Sequence, residues 1–182
     1  AKLENDFRIT PEELEPHVTA QTKALLIGYP NNPTGAVMTK DDLSKIAAFA
    51  EKHDLIVISD EIYGDLTYGD LGHTAFSALP GMRDRTILLN GFSKAYAMTG
   101  WRIGYALGNP DFIAAMTKIH QYTMLCAPIT AQVAAVEALR HGEKYMKKMV
   151  AEYDRRRRLI YDGFLKLGLS CFEPKGAFYI FP

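Results

Sequence analysis

The sequence predicts an α/β fold built on a mainly parallel sheet with flanking helices. Two observations carry that expectation. Four short apolar runs have continuous rather than alternating hydrophobicity, and an amphipathic helix with clear punctuation separates the first two. Continuous apolar character is what strands covered on both faces require. Strand, helix, strand at this spacing is a βαβ unit, which joins parallel neighbours.

Taken in order, Asn5 to Thr10 reads as a strand, and Ala24 to Tyr29 is the first of the four apolar runs. Thr39 is a good N-cap with Asp42 three residues on, and Leu43, Ile46, Ala47, Phe49 and Ala50 then form one stripe. Leu55 to Asp60, Thr86 to Asn90 and Arg102 to Leu107 are the remaining runs. After Leu107 the pattern turns helical. One helix starts at Pro110-Asp111, a second covers Pro128 to Arg140, and a long third runs from Glu143 to Leu167 with Gly168 as its stop. Leu169 to Phe172 and Ala177 to Phe181 resume strand character. The chain then divides into part of a large domain (1–142), a long interdomain helix (143–168) and the start of a small C-terminal domain (169–182).

Composition narrows the function classes. Hydrophobic residues make up 48% and charged residues 23%, the profile of a soluble globular protein. Lys+Arg and Asp+Glu balance at 21 each, which gives no electrostatic argument for nucleic acid or an anionic membrane as partner. Arg155 to Arg158 does not alter this, because four consecutive arginines in a helix point in all directions and read as a solvated or interface face. No apolar run approaches the roughly 20 residues of a bilayer span. Ala1 to Arg8 is polar and charged, unlike a signal peptide. Cys126 and Cys171 show no paired or metal-ligand spacing, and free thiols in a reducing cytoplasm are expected. The five histidines lack HxxxH or HExxH spacing, so no metal site is expected. The ends of the sequence suggest a fragment. It begins without Met inside a strand-like segment and stops at Pro182, directly after an apolar one.

In a parallel α/β sheet, ligands collect at the carboxyl ends of the strands. The first apolar run ends in Tyr29-Pro30-Asn31-Asn32-Pro33-Thr34-Gly35 and the second in Ser59-Asp60-Glu61-Ile62-Tyr63. The third leads into Asn90-Gly91-Phe92-Ser93-Lys94, with Gly100-Trp101-Arg102 beyond. One lysine, one aspartate, one tyrosine, one asparagine and one arginine are thereby expected on one rim. The set meets the needs of a pyridoxal cofactor. An amine holds the aldehyde, a carboxylate keeps the ring nitrogen protonated, donors serve the 3-oxygen and a cation takes the phosphate. Glu61, next to Asp60, is expected to point to the opposite face and to fix the loop instead.

Asn32-Pro33-Thr34-Gly35, Asp60-Glu61-Ile62-Tyr63, and Ser93-Lys94 followed by Thr99-Gly100-Trp101-Arg102-Ile103-Gly104 resemble, in order, three signature blocks of class I/II (fold-type I) aminotransferases. The resemblance covers essentially the whole chain and is nearest to the aspartate/aromatic and N-acetyl-diaminopimelate subgroup. It implies part of the fold-type I large domain plus the start of the small domain. It also implies pyridoxal 5'-phosphate as cofactor, with Lys94 as the Schiff-base lysine and general acid/base. Asp60 would pair with the pyridine nitrogen, Tyr63 and Asn32 would serve the phenolic oxygen, and Arg102 would clamp the phosphate. A cis bond before Pro33 is implied too. The expected reaction moves an amino group from an L-amino acid to a 2-oxo acid in two half-reactions. The expected assembly is a homodimer.

The sequence departs from the family pattern at Gly91, where many relatives carry a phosphate-binding serine three residues before the lysine. Ser93 is the nearby hydroxyl and the candidate replacement. By the same resemblance, the glycine-rich phosphate loop and the arginine that grips the substrate carboxylate belong outside residues 1–182, so this piece alone is expected to be inactive. Two other functions stay open: a β- or γ-elimination lyase of the same fold, and a non-catalytic regulatory module.

Overall fold

In a computed structural model that describes residues 1–182, four strands pair in the order β1 (Ala24–Gly28), β2 (Ile56–Asp60), β3 (Thr86–Gly91) and β4 (Gly104–Leu107). The first three are parallel, with Gly28 opposite Asp60 and Asp60 opposite Leu89. β4 is antiparallel to β3, and Gly91 faces Gly104. An antiparallel strand begins at the rim where its neighbours end. Residues just before β4 therefore lie beside those that just follow β1, β2 and β3.

The helices are α1 (Pro11–Leu14), α2 (Lys40–Lys52), α3 (Pro110–Thr123), α4 (Ile129–His141) and α5 (Glu143–Lys166). Thr39 starts α2 with a complete capping box: its hydroxyl accepts from the Asp42 N–H (3.2 Å), and its own N–H donates to the Asp42 carboxylate (3.0 Å). The stripe expected from the sequence is the buried face of α2. Leu43, Ile46, Ala47, Phe49 and Ala50 pack with Ile27, Leu55, Val57, Phe76, Leu79 and Met82 in one core of 14 buried residues. No helix is long and apolar enough to cross a membrane.

Two expectations need correction, and a third is met only in part: within residues 1–182 helix α2 covers one face of the sheet, burial alternates along β1 and β2, and Leu26 is 70% exposed while Ile27 is buried. Asn5 to Thr10 is not a strand. Asp6 and Phe7 take left-handed backbone (φ 52° and 54°), the Asn5 amide donates to the Arg8 carbonyl (2.7 Å), and Thr10 caps α1. Leu169–Phe172 and Ala177–Phe181 form no strands either. Gly176, just before the last segment, makes one isolated bridge with Thr67, and Ala177 itself takes φ 55°.

The C-terminal segment is instead stitched to two loops. The N–H groups of Lys175 and Gly176 both donate to the Gly35 carbonyl (2.9 Å each), Ala177 N–H donates to Leu66 O (2.8 Å), and Tyr68 N–H donates to Lys175 O (2.9 Å). The Tyr68 hydroxyl adds a bond to the Ala177 carbonyl. From α5, Arg157 reaches Glu173 and the Pro174 carbonyl (3.0 Å each) and stacks on the Tyr68 ring at 5.1 Å. Of the arginine run, Arg155 and Arg156 pair with Glu152 along the helix and Arg158 with Asp154. Only Arg157, 12% exposed, turns inward.

Gly35 is the tight point of this seam. Its φ is +73°, and a Cβ there would lie 2.3 Å from the Pro174 Cβ. Gly35→Ala in the intact protein is expected to cost about 2–4 kcal/mol, overpacking plus left-handed strain. Gly69→Ala, at the same φ but with nothing within 4 Å, should cost only about 1 kcal/mol. Urea denaturation midpoints compare the two, and equal losses would contradict the packing account.

Candidate active site

The turn after β1 is built by Asn31, not by Asn32. Asn31 Oδ1 accepts from the Thr34 hydroxyl (2.8 Å) and N–H (3.4 Å), its amide donates to Gly28 O (3.2 Å), and its backbone N–H donates to Ala36 O (2.8 Å). With the turn satisfied from within, the exposed Asn32 side chain makes no hydrogen bond. The Asn32–Pro33 peptide is cis, as expected; the Tyr29–Pro30 peptide is cis as well, which the sequence reading did not anticipate.

At the end of β2 two adjacent carboxylates have opposite fates. Glu61 is 3% exposed. Its Oε1 accepts from the Ser59 hydroxyl (3.0 Å) and the Phe76 N–H (2.9 Å), and its Oε2 meets His73 Nε2 at 2.6 Å. A buried carboxylate is tolerated when its oxygens are satisfied in this way. Asp60, pointing the other way, is exposed; its one bond is from the Ile62 N–H to Oδ1 (3.1 Å). Glu61 thus ties β2 to residues 73–76, and Asp60 is left open at the rim.

Two residues past Glu61, Tyr63 is 4% exposed and its hydroxyl lies 2.6 Å from the hydroxyl of Tyr179. Lys94, in the turn that follows β3, holds its Nζ 5.4 Å from the centre of the Tyr63 ring and 5.2 Å from that of Phe178. It forms no ion pair. Phe178 packs edge-on to Tyr63 (5.4 Å) and against Tyr153 of α5 (5.5 Å). The Lys94 turn is held by the Thr99 hydroxyl, which donates to the Ser93 carbonyl (2.8 Å). Arg102 sits just before β4 with left-handed backbone (φ 52°); one Nη donates to Thr99 O (2.7 Å), and the rest of the exposed guanidinium is free.

The six residues singled out in the sequence therefore lie along one rim. Asn32 follows β1, Asp60 and Tyr63 close β2, Ser93 and Lys94 follow β3, and Arg102 precedes β4. The structure shows direct proximity for Lys94 with Tyr63, and it adds Phe178 and Tyr179, which the sequence reading treated only as a strand. No local signal marks those two, because their site neighbours are distant in sequence. Gly91 also has a structural reason. A Cβ there would lie 2.8 Å from Gly104 Cα and 3.0 Å from Ile103 O across the β3–β4 pair, so a side chain at this position would need the two strands to shift.

A family model described as aminotransferase class I and II matches residues 1–182. The chain belongs to that family. It is 49% identical over 181 residues to an aspartate aminotransferase of Pyrococcus abyssi, a match that spans 98% of this chain and 46% of the relative. It is 45% identical to aromatic-amino-acid aminotransferase 2 of Thermococcus litoralis, with the same coverage. The solved aromatic aminotransferase from Pyrococcus horikoshii superposes with a TM-score of 0.97 at 47% identity, over 100% of this chain and 49% of that one. The chain thus spans about half the length of the relatives it matches.

The two carboxylates at the end of β2 are expected to separate on mutation. Glu61→Ala leaves the Phe76 N–H, the Ser59 hydroxyl and His73 unpartnered and should cost about 2–4 kcal/mol. Asp60→Ala removes an exposed group and should cost less than about 1 kcal/mol. Thermal and urea unfolding of the intact variants measures both.

Proposed function

We propose that the intact protein is a pyridoxal-phosphate-dependent aminotransferase, moving an amino group from an L-amino acid to a 2-oxo acid in two half-reactions. The observation that carries this reading is the set of uncommitted polar groups at one rim. They are a lysine amine without an ion pair, an aspartate with a free oxygen, an asparagine amide without a partner and a largely free guanidinium. That donor set fits the cofactor's aldehyde, ring nitrogen, phenolic oxygen and phosphate in turn. When bound, the cofactor supplies a conjugated ring that accepts the electron pair left by the departing substrate proton.

Each residue then has a task its chemistry supports. Lys94 Nζ holds the cofactor and carries the α-proton from its place beside the Tyr63 and Phe178 rings. The Asp60 carboxylate keeps a proton on the ring nitrogen. Tyr63 and Asn32 donate to the ring oxygen, while Arg102, with Ser93 nearby, takes the phosphate. Aspartate and aromatic amino acids are the substrate classes suggested by the relatives' names.

The domain division at 142 and 168 belongs to the same proposal: α5 bridges a large domain and the start of a small one. So does a homodimer in the cytoplasm. Both follow from the family resemblance, and the exposed Ile119, Tyr122, Met124, Leu125, Ile129 and Val133 on and between α3 and α4 mark an apolar surface that the rest of the intact protein or a second copy would cover.

Mixing the intact protein with pyridoxal phosphate should produce a visible absorbance band that Lys94→Ala lacks. Adding amino acids should shift the band and release 2-oxo acid without ammonia. Pyruvate with ammonia would point to an elimination lyase, and no Lys94-dependent band would end the reading. Asp60→Ala should remain folded but slow transamination on the order of 10²-fold or more.

A further inference from the structure

The hydroxyl of Tyr63 is asked to donate to the cofactor's ring oxygen, yet in the structure it already has a partner, the hydroxyl of Tyr179 at 2.6 Å. Two phenols at that distance share one hydrogen bond, and either can be the donor. If Tyr63 donates to Tyr179, its proton is spent. If Tyr179 donates to Tyr63, the Tyr63 proton is free for a second acceptor, and accepting a bond strengthens Tyr63 as a donor.

We infer that Tyr179 is a positioning residue that orients and polarises the Tyr63 hydroxyl toward the ring oxygen beside Lys94. This rests on the cofactor reading of Lys94 and Tyr63. Geometry supports it from three sides. The C-terminal seam holds Tyr179 in place through Gly176 and Ala177, bonded to Gly35 and Leu66. The Tyr63 ring is clamped edge-on by Phe178 (5.4 Å) and Tyr179 (5.7 Å), so its hydroxyl has little freedom. The Lys94 Nζ stands over the same ring. Burial and the bond to Tyr63 keep the Tyr179 phenol above its ordinary pKa, partly opposed by Lys94, so it retains the proton it must donate. Tyr96 and Tyr153, both phenols, pack against the buried cluster that contains Tyr63. Lys94 is the cation set against it.

The effect falls on the proton at Lys94 Nζ. A strong donor at the ring oxygen stabilises that oxygen's negative charge once the neighbouring nitrogen has lost its proton. Weakening the donor therefore raises the pH at which Lys94 Nζ gives up its proton.

The test is a pH titration of the visible band in the intact, cofactor-loaded protein. Tyr179→Phe keeps the ring and the packing and removes only the hydroxyl. It should raise the midpoint by roughly 0.5–1 pH unit, the size of one hydrogen bond. Tyr63→Phe should raise it further, and the double variant should match Tyr63→Phe alone, because Tyr179 acts only through Tyr63. An unchanged midpoint in Tyr179→Phe, or additive shifts in the double variant, would overturn the inference. A band that never forms, or that survives Lys94→Ala, would instead overturn the cofactor reading beneath it.

Discussion

The structure turns on one carbonyl. Gly35 O accepts from both Lys175 and Gly176, and this pair of bonds fastens the end of the chain to the turn that follows the first strand. The aromatic side chains that stand beside Lys94 at the rim depend on that seam. Through it Phe178 and Tyr179 reach Tyr63 and Lys94. Only glycine permits it: the turn needs a left-handed φ, and Pro174 occupies the space a side chain would need. Arg157 reinforces the seam from α5 by binding the Pro174 carbonyl and stacking on Tyr68.

Around this fixed point the chain separates residues that build the site from residues left free to act. Asn31 satisfies the turn so that Asn32 need not, and Glu61 anchors the loop so that Asp60 stays open. For the two carboxylates at the end of β2 the division follows from strand geometry, in which neighbouring side chains face opposite sides; for the asparagines it follows from the turn that Asn31 closes. Placing a satisfied buried carboxylate next to an unsatisfied exposed one keeps the second in position at little cost in stability. The antiparallel β4 has a matching role. By reversing direction it returns Arg102 to the rim where the three parallel strands end.

Much of the rim could be read from residue order. Asn32, Asp60, Lys94 and Arg102 were legible because each follows or precedes an apolar run, and topology sends such positions to one edge. The capping box at Thr39, the start of α3 and, to within a residue, the bounds of α4 and α5 are local, set by residues a few positions apart, and they too were legible. The misreadings have a common cause. Asn5 to Thr10 and Ala177 to Phe181 carry strand-like composition, but their backbone bonds go to a local turn and to distant loops. Continuous hydrophobicity in Ala24 to Gly28 suggested two covered faces, whereas within residues 1–182 α2 covers only one.

By itself the sequence determined the α/β class, the family blocks and the identities of the groups along the rim, because these depend on periodicity and on order along the chain. The tertiary structure alone decided which groups satisfy the buried Glu61, how closely Gly91 approaches Gly104, and that Tyr179 meets Tyr63 beside Lys94. Those outcomes depend on contacts between segments far apart in the chain, for which local sequence carries no signal. Lys94 could be picked out from its motif, but the aromatic pair that surrounds it became visible only once the chain closed on Gly35.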